Sequence, residues 1–490
     1  MDKRRWLGLI SLSLGVAAII VDATIVNVAI PTIIRDLKAT STQVQWIQEA
    51  YTLVFASTLL VFGRLADRLG RKRIFVIGVF IFVLSSILAA QAPTPEFLII
   101  MRIVQGFGGA MMLPTSVSIL NATFEGKERG IAFAVWGSTI GGAAALGPLI
   151  GGWLTTDFSW RWAFGINLPI GLIVLAGCFL YVQESKGAFE SGNDYLGAIL
   201  SVATMGTLVF ALIEGRSYGW TSPTILACFA AFLIFGLVFA QVQIKRNRNN
   251  QPVLFDLSLL SISSFRNGNF AAAIVSLGEF GLLFSFPLWI QNVLQRSAFQ
   301  TGLILLPLAL GSFFASGAGV QLVNRYGALR VVQIGLALEV IGVGLAALLI
   351  KPDLSVALIC AVLFIYGMGV GLATAQLTSV VLADVPRDRS GQASGITSTM
   401  RQLGSALGIA LLGTALFSTF SKGLKSINNS QLQDLLVRTA GAPIASLPPQ
   451  TKAIAEQALS DAAKSSAVVA TGFLILGLIA TFRMSNSSVK

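Results

Sequence analysis

Five ionisable side chains fall inside long apolar runs: Asp22, Arg102, Glu279, Glu339 and Arg401. A charge held away from water is costly, so each is a candidate for function before it is a candidate for packing. Asp22 and Arg102 have the clearest chemistry. An acid beside a guanidinium stays ionised, and protonating it weakens the attraction and frees the pair. Measured from the centres of their runs, Asp22 lies about 6 Å and Arg102 about 9 Å toward the same face, at a rise of ~1.5 Å per helical residue. Matching depth permits a contact, either direct or through water or Gln105. A static ion pair is the plainer alternative. Glu279 follows Asp22 by 257 residues and has no evident arginine partner. It could be a second proton site, the counter-charge of a cationic substrate, or a hydrogen-bonded acid outside transport. Glu339 reads as a hydrogen-bonded structural acid, and Arg401, in the inner half of its run, as a structural partner close to the latch that Asp67 could make. Glu49 and Glu214 sit near run ends and reach water.

Other chemistries are poorly served. The chain has no histidine, which removes the commonest metal ligand and the usual proton shuttle near neutrality. Cys178, Cys228 and Cys360 stand alone in apolar runs, as small hydrophobes do. No GxxxxGK[ST] loop is present. The sequence therefore predicts no metal, no cofactor and no ATP hydrolysis, and leaves proton chemistry to carboxylates.

These side chains must be positioned by membrane helices. Of the 490 residues, 54% are hydrophobic and 11% charged, with a mean hydropathy of +0.78. A soluble protein carries about 25% charged residues, so a soluble enzyme, a nucleic-acid module and a disordered chain are excluded. Runs near 20 residues mean helices, since barrel strands are half as long. Fourteen spans are predicted at about 6–30, 43–65, 73–92, 96–120, 129–155, 161–182, 194–213, 222–243, 266–291, 300–322, 330–350, 353–374, 392–420 and 464–483. The first follows a basic start and is too long for a signal-peptide core, so it reads as an uncleaved span.

An even number of spans puts both termini on one side. Among 34 Lys and Arg, the opposite short loops hold only Arg35, Lys38, Arg161, Arg216, Arg296 and Lys351. By the positive-inside rule both termini are cytoplasmic, and the net charge of +12 is a topology signal, with no nucleic-acid partner implied. The 421–463 connection is then external, a helical hairpin broken at Leu447-Pro448-Pro449. It reads as a solvated cap, with partner docking as the sharper alternative.

A weak repeat divides the chain. The run from Gly63 to Arg73 recurs 257 residues later from Val320 to Arg330, keeping Arg-x-Gly-x-x-Arg and replacing Asp67 by Asn324. Pro31 matches Pro287 near the same offset. The division is 1–186, a six-helix half; 187–256, two inserted helices and a cytoplasmic link; and 257–490, a second six-helix half carrying the external segment.

Two motifs read as a conformational gate. In the first, Gly63 and Gly70 allow a tight turn while Arg68, Arg71 and Arg73 surround Asp67. Asp67 could face the positive N-terminal end of the helix starting at Ser390-Gly391-Gln392 and latch the halves together. In the second, Gly147, Pro148, Gly151 and Gly152 crowd the fifth span. A proline amid glycines can bend a helix, and glycines alone also serve close packing. Asn27, Gln105, Met111, Met112, Phe284 and Trp289 are candidates for substrate contact, because flexible Met and flat aromatic faces suit loosely specified apolar ligands. For each, packing is an equal alternative.

The first of these motifs resembles the signature loop of the major facilitator superfamily. Arg102-Ile103-Val104-Gln105-Gly106-Phe107-Gly108-Gly109 is similar to that superfamily's fourth-helix motif, and Gly147-Pro148-Leu149-Ile150-Gly151-Gly152 to its helix 5 antiporter motif, with Ala143 where glycine is usual. The run from Asp22 to Pro31, the run from Ser159 to Gly171, and Arg389–Gly395 with Arg401-Gln402-Leu403-Gly404 resemble the fourteen-helix drug:proton antiporters. The resemblance implies an all-α fold of two pseudo-symmetric six-helix halves plus two inserted helices, exporting amphipathic small molecules across the cytoplasmic membrane by proton exchange. Its partners would be substrate, protons and bilayer. It implies a monomer and leaves a periplasmic adaptor protein open. An exporter of one metabolite, such as an amino acid, siderophore or lipid, is the alternative within the class. A membrane sensor or integral-membrane enzyme is the alternative outside it.

Overall fold

The computed structural model describes residues 3–39, 41–187, 194–249, 251–386 and 389–482, and every regular element among them is a helix. The first half comprises α1 (Lys3–Leu37), α2 (Ser41–Leu69), α3 (Arg71–Ala90), α4 (Pro95–Thr123), α5 (Gly126–Asp157), α6 (Trp162–Gly165) and α7 (Asn167–Tyr181). The inserted pair is α8 (Tyr195–Tyr218) and α9 (Pro223–Arg248). The second half holds α10 (Ser263–Asn292), α11 (Ala298–Tyr326), α12 (Ala328–Leu349), α13 (Val356–Val381), α14 (Ser390–Gly423), α15 (Ser430–Arg438) and α16 (Pro449–Phe482). Counting α6 and α7 as one broken span and setting aside the short α15, the long helices fall at the fourteen expected places. Among the described residues, 12 contain a stretch long and apolar enough to cross a membrane; the other two are α5 and α10.

In lipid, backbone groups must be satisfied within the chain, so helix ends need caps. Thr94 accepts from Phe97 N ahead of Pro95, Ser222 accepts from Ile225 N ahead of Pro223, and Ser297 and Gln300 form a capping box on α11. Helices approach through small residues, as expected without a hydrophobic force between helices. On α14, a Cβ at Gly404 or Gly408 would strike the α10 backbone at Ala273 and Leu277.

The halves meet through α2 against α14 and through α5 against α11 and α13. The inserted α8 packs on α2 and touches α14, whereas α9 has only Ile225 and Gln243 buried among its described residues and is otherwise open on its surface. The link 251–256 is pinned at the basic end of the bundle. Leu254 N donates to Asp194 and Phe255 N to Gln243, while Gln392 Nε2 donates to Leu254 O. The repeat is visible in the backbone: Gly70 (φ 113°) joins α2 to α3, and Gly327 (φ 85°) joins α11 to α12. That left-handed region favours glycine.

The 421–463 segment departs from a hairpin. Its second helical stretch is the first part of α16, which runs unbroken from Pro449 to Phe482 because no proline or glycine interrupts it before Gly472. The cap is packed, with Leu436 and Ile444 fully buried and Asn292 Nδ2 donating to Ala440 O. At the same end, Asp36 is held below the usual carboxylate range by hydrogen bonds from Arg161 and Trp160.

Candidate functional site

Asp22 and Arg102 meet. The α1 carboxylate is fully buried and receives Arg102 at 2.5 Å from α4. Gln105, one turn along α4, donates to the other carboxylate oxygen at 2.8 Å and accepts from Arg102 at 2.6 Å. Two further residues complete the shell. Asn167 Nδ2 donates to Asp22 Oδ1 at 2.9 Å, and Ser86 on α3 accepts from both Gln105 and Asn167. Asn167 reaches Asp22 because the sixth span breaks at Ile166, which makes Asn167 the first residue of α7. Pro169 follows within the first turn, where a missing N–H costs nothing. Arg102 is further held by the Ile47 carbonyl at 3.1 Å and lies over the Tyr51 ring at 4.3 Å. A buried charge pair is tolerable when each partner is also hydrogen-bonded, and here both are.

Beside this network lies a cavity of about 410 Å³. Its walls come from both halves and from the insertion: Tyr51, Thr52 and Arg102 from the first half, Leu212 from α8 with Trp220 after it, and Gln402, Ser405 and Phe417 from α14. Arg102 therefore belongs to the cavity wall and to the acid network at once. Aromatic faces and a few polar groups on a largely apolar lining suit an amphipathic ligand.

At the basic end Asp67 meets the start of α14, the contact that the latch requires. Asp67 accepts from Gly391 N and Gln392 N, each at 2.8 Å, and is paired to Arg71 at 2.8 Å, with both side chains buried. These are the free amides at the start of α14, where the helix dipole favours an anion. Gly63 lets the helices touch: its Cβ would lie 2.6 Å from the Gly391 carbonyl. Asn121 Nδ2 adds a bond to Ser390 Oγ at 2.9 Å. Gly70 carries its positive φ next to the Glu184 carboxylate, which caps α3 by accepting from Lys72 N and Arg73 N at 3.0 Å.

In the second half, Glu279 accepts from Thr374 Oγ1 on α13 at 2.9 Å, and Arg401 donates to the Thr374 carbonyl at 3.0 Å. Arg401 is thus joined to the Glu279 site, away from the latch. It lies within electrostatic reach of Glu339 as well. Glu339 is fully buried, and neither carboxyl oxygen has a hydrogen-bond partner among the described residues. That corrects the expectation of a hydrogen-bonded structural acid.

The sequence profile described as Major Facilitator Superfamily matches residues 12–195 and 192–409. The chain belongs to that superfamily. The puromycin resistance protein pur8 of Streptomyces alboniger is 33% identical over 84% of this chain and 82% of its own length. The multidrug resistance protein Stp of Mycobacterium tuberculosis is 31% identical over 99% of this chain and 92% of its own. Among solved structures, the human organic anion transporter MFSD10 (TETRAN) superposes with a TM-score of 0.65 at 14% identity, covering 97% of this chain and 99% of that one. That likeness shows the fold.

In this facilitator the other sequence candidates fall as follows. Met112 is buried in the first-half core, and Met111 packs at the α3–α4 contact near Gly78. Trp289 is fully buried and donates to Ser460 Oγ at 3.0 Å. None of these, nor Gln105, lines the cavity. The side chains of Asn27, Pro148 and Phe284 lie outside the described residues. On α5 the glycines serve close approach: a Cβ at Gly147 would collide with Thr24 on α1, and Gly151 sits against Ile25. A Cβ at Gly152 would meet Phe299 only at ordinary contact distance. Asn167, Ser86 and Tyr51 were missed as site residues. The sequence signals for Asn167 were a lone amide in an apolar run two residues before a proline and its place within the Ser159–Gly171 run.

Proposed function

We propose that this multi-pass facilitator exports amphipathic, drug-like compounds across the cytoplasmic membrane in exchange for protons, by rocking of its two halves. One observation carries the reading. Arg102 both holds the buried Asp22 carboxylate and walls the cavity between the halves, so a ligand there and a proton on Asp22 act on one guanidinium. Protonation releases Arg102, and the deprotonated acid recaptures it. The names of the puromycin and multidrug resistance relatives support a drug-like substrate. The driving force suffices: a potential of ~150 mV is worth about 3.5 kcal/mol per proton, enough for a gradient of a few hundred-fold.

In this reading the basic end faces the cytoplasm with both termini, the chain crosses fourteen times, and it works as a monomer. The closed latch then corresponds to a state shut on the cytoplasmic side. Proteoliposomes with an imposed pH gradient and a small panel of cationic, neutral and anionic amphiphiles test the function. Uphill flux of several unlike compounds supports it, and flux of a single metabolite class replaces it with the narrower exporter. Impermeant labelling of single cysteines tests the topology, and external labelling at Asn249 would overturn it.

A further inference from the structure

We infer that Glu339 and Glu279 form a carboxyl pair holding one exchangeable proton against Arg401, a second proton-binding site in the second half, separate from Asp22. The inference rests on the exporter reading only for what the proton is used for; the site stands on the cluster itself.

Every ionisable group facing the pair can be named. From α10 comes Glu279, hydrogen-bonded by Thr374 Oγ1. From α13 comes Tyr366, fully buried and within electrostatic reach of both acids. From α14 comes Arg401, anchored on the Thr374 carbonyl with its Nε buried and without a partner among the described residues. The other helices packed on α12 add nothing ionisable at this depth: α11 carries no such residue from 298 to 324, and α16 none from 465 to 482. Glu339 is locked in the α12–α13 seam, where a Cβ at Gly369 would lie 2.6 Å from its Cγ.

Charge balance then fixes the proton count. Two carboxylates and one guanidinium leave a net negative charge with no proton and a net positive charge with two. One proton makes the cluster neutral, the only state without an uncompensated charge in a low-dielectric interior. Glu339 has no donor to stabilise it as an anion, whereas Glu279 has one. The proton nevertheless belongs to the pair, because removing either acid changes the balance for the other. On release an O–H bond of the pair breaks and the proton leaves to water. The same helix carries the trigger: Gln402, adjacent to Arg401, walls the cavity. A cation bound there adds a like charge beside Arg401 and favours loss of the proton.

Infrared absorption of the purified full-length chain in lipid nanodiscs tests the site, read at the C=O stretch of protonated carboxyls in an Asp22→Asn background. Glu339→Gln and Glu279→Gln should each abolish the same exchangeable band, because either leaves one acid and one base, neutral without a proton. Arg401→Gln should instead double it. With Asp22 intact, proton release on adding tetraphenylphosphonium should fall by half in either glutamine variant. If Glu339→Gln leaves band and release unchanged, or the two losses add, the pair is overturned. The infrared arm needs no transport: a chain that releases no proton to the probe but loses the band in both variants would overturn the exporter reading and keep the site.

Discussion

Asp22 and Glu279 occupy equivalent places in the two halves, yet the interior treats them differently. Asp22 is saturated by donors from α4 and α7, one of them charged. Glu279 has one hydroxyl donor, and the nearest guanidinium binds a backbone carbonyl in its place. The first arrangement is a closed network with an ion pair at its centre. The second is an open cluster with one acid too many. Duplication supplied the same position twice, and the surroundings made an anion site of one copy and a proton-sharing site of the other.

The largest test of that contrast is Asp22→Asn. It should abolish uphill, pH-driven export in proteoliposomes while substrate still binds; normal uphill flux would hand the coupling role to the second half. Arg102→Ala is predicted to be worse for the fold than for the chemistry. Leaving a buried carboxylate unpaired costs about 3–5 kcal/mol, visible as a lowered unfolding temperature that Asp22→Asn partly rescues. Asp67→Asn comes next. Losing hydrogen bonds to a charged acceptor is worth about 1.5–3 kcal/mol, so spin labels flanking the basic end should shift toward longer distances; an unchanged distribution would count against the latch. Asn167→Ala removes one neutral donor from Asp22, for about 1 kcal/mol, and should lower the unfolding temperature slightly while export, read as uphill flux in proteoliposomes, persists. Asn324→Ala should do least, since Asn324 is exposed where its counterpart Asp67 is buried.

The parts of this site legible in the sequence were those fixed by depth and charge. Asp22 and Arg102 could be paired because each stands nearly alone in an apolar run, and helical rise gives its height. The latch was legible because an acid among arginines beside two glycines has few other uses. Asn167 and Ser86 were not, since an uncharged polar residue in a helix gives no sign of which neighbour it serves. Arg401 was misplaced because its connection to Glu279 passes through a backbone carbonyl on a third helix, which no side-chain pattern records. Trp289 and Met112 failed to reach the cavity because the properties that suit an apolar ligand also suit a core.

The burial of the Asp67 latch also decides what can tune it. Mobile ions screen charges over about 8 Å at physiological salt, but only where they can enter. The Asp36–Arg161 pair at the opposite end has side chains 49% and 39% exposed and lies open to such screening. Asp67 and Arg71 have 0% and 2%. Swings in ionic strength therefore reach the Asp36–Arg161 pair and are kept from the Asp67–Arg71 contact by its burial.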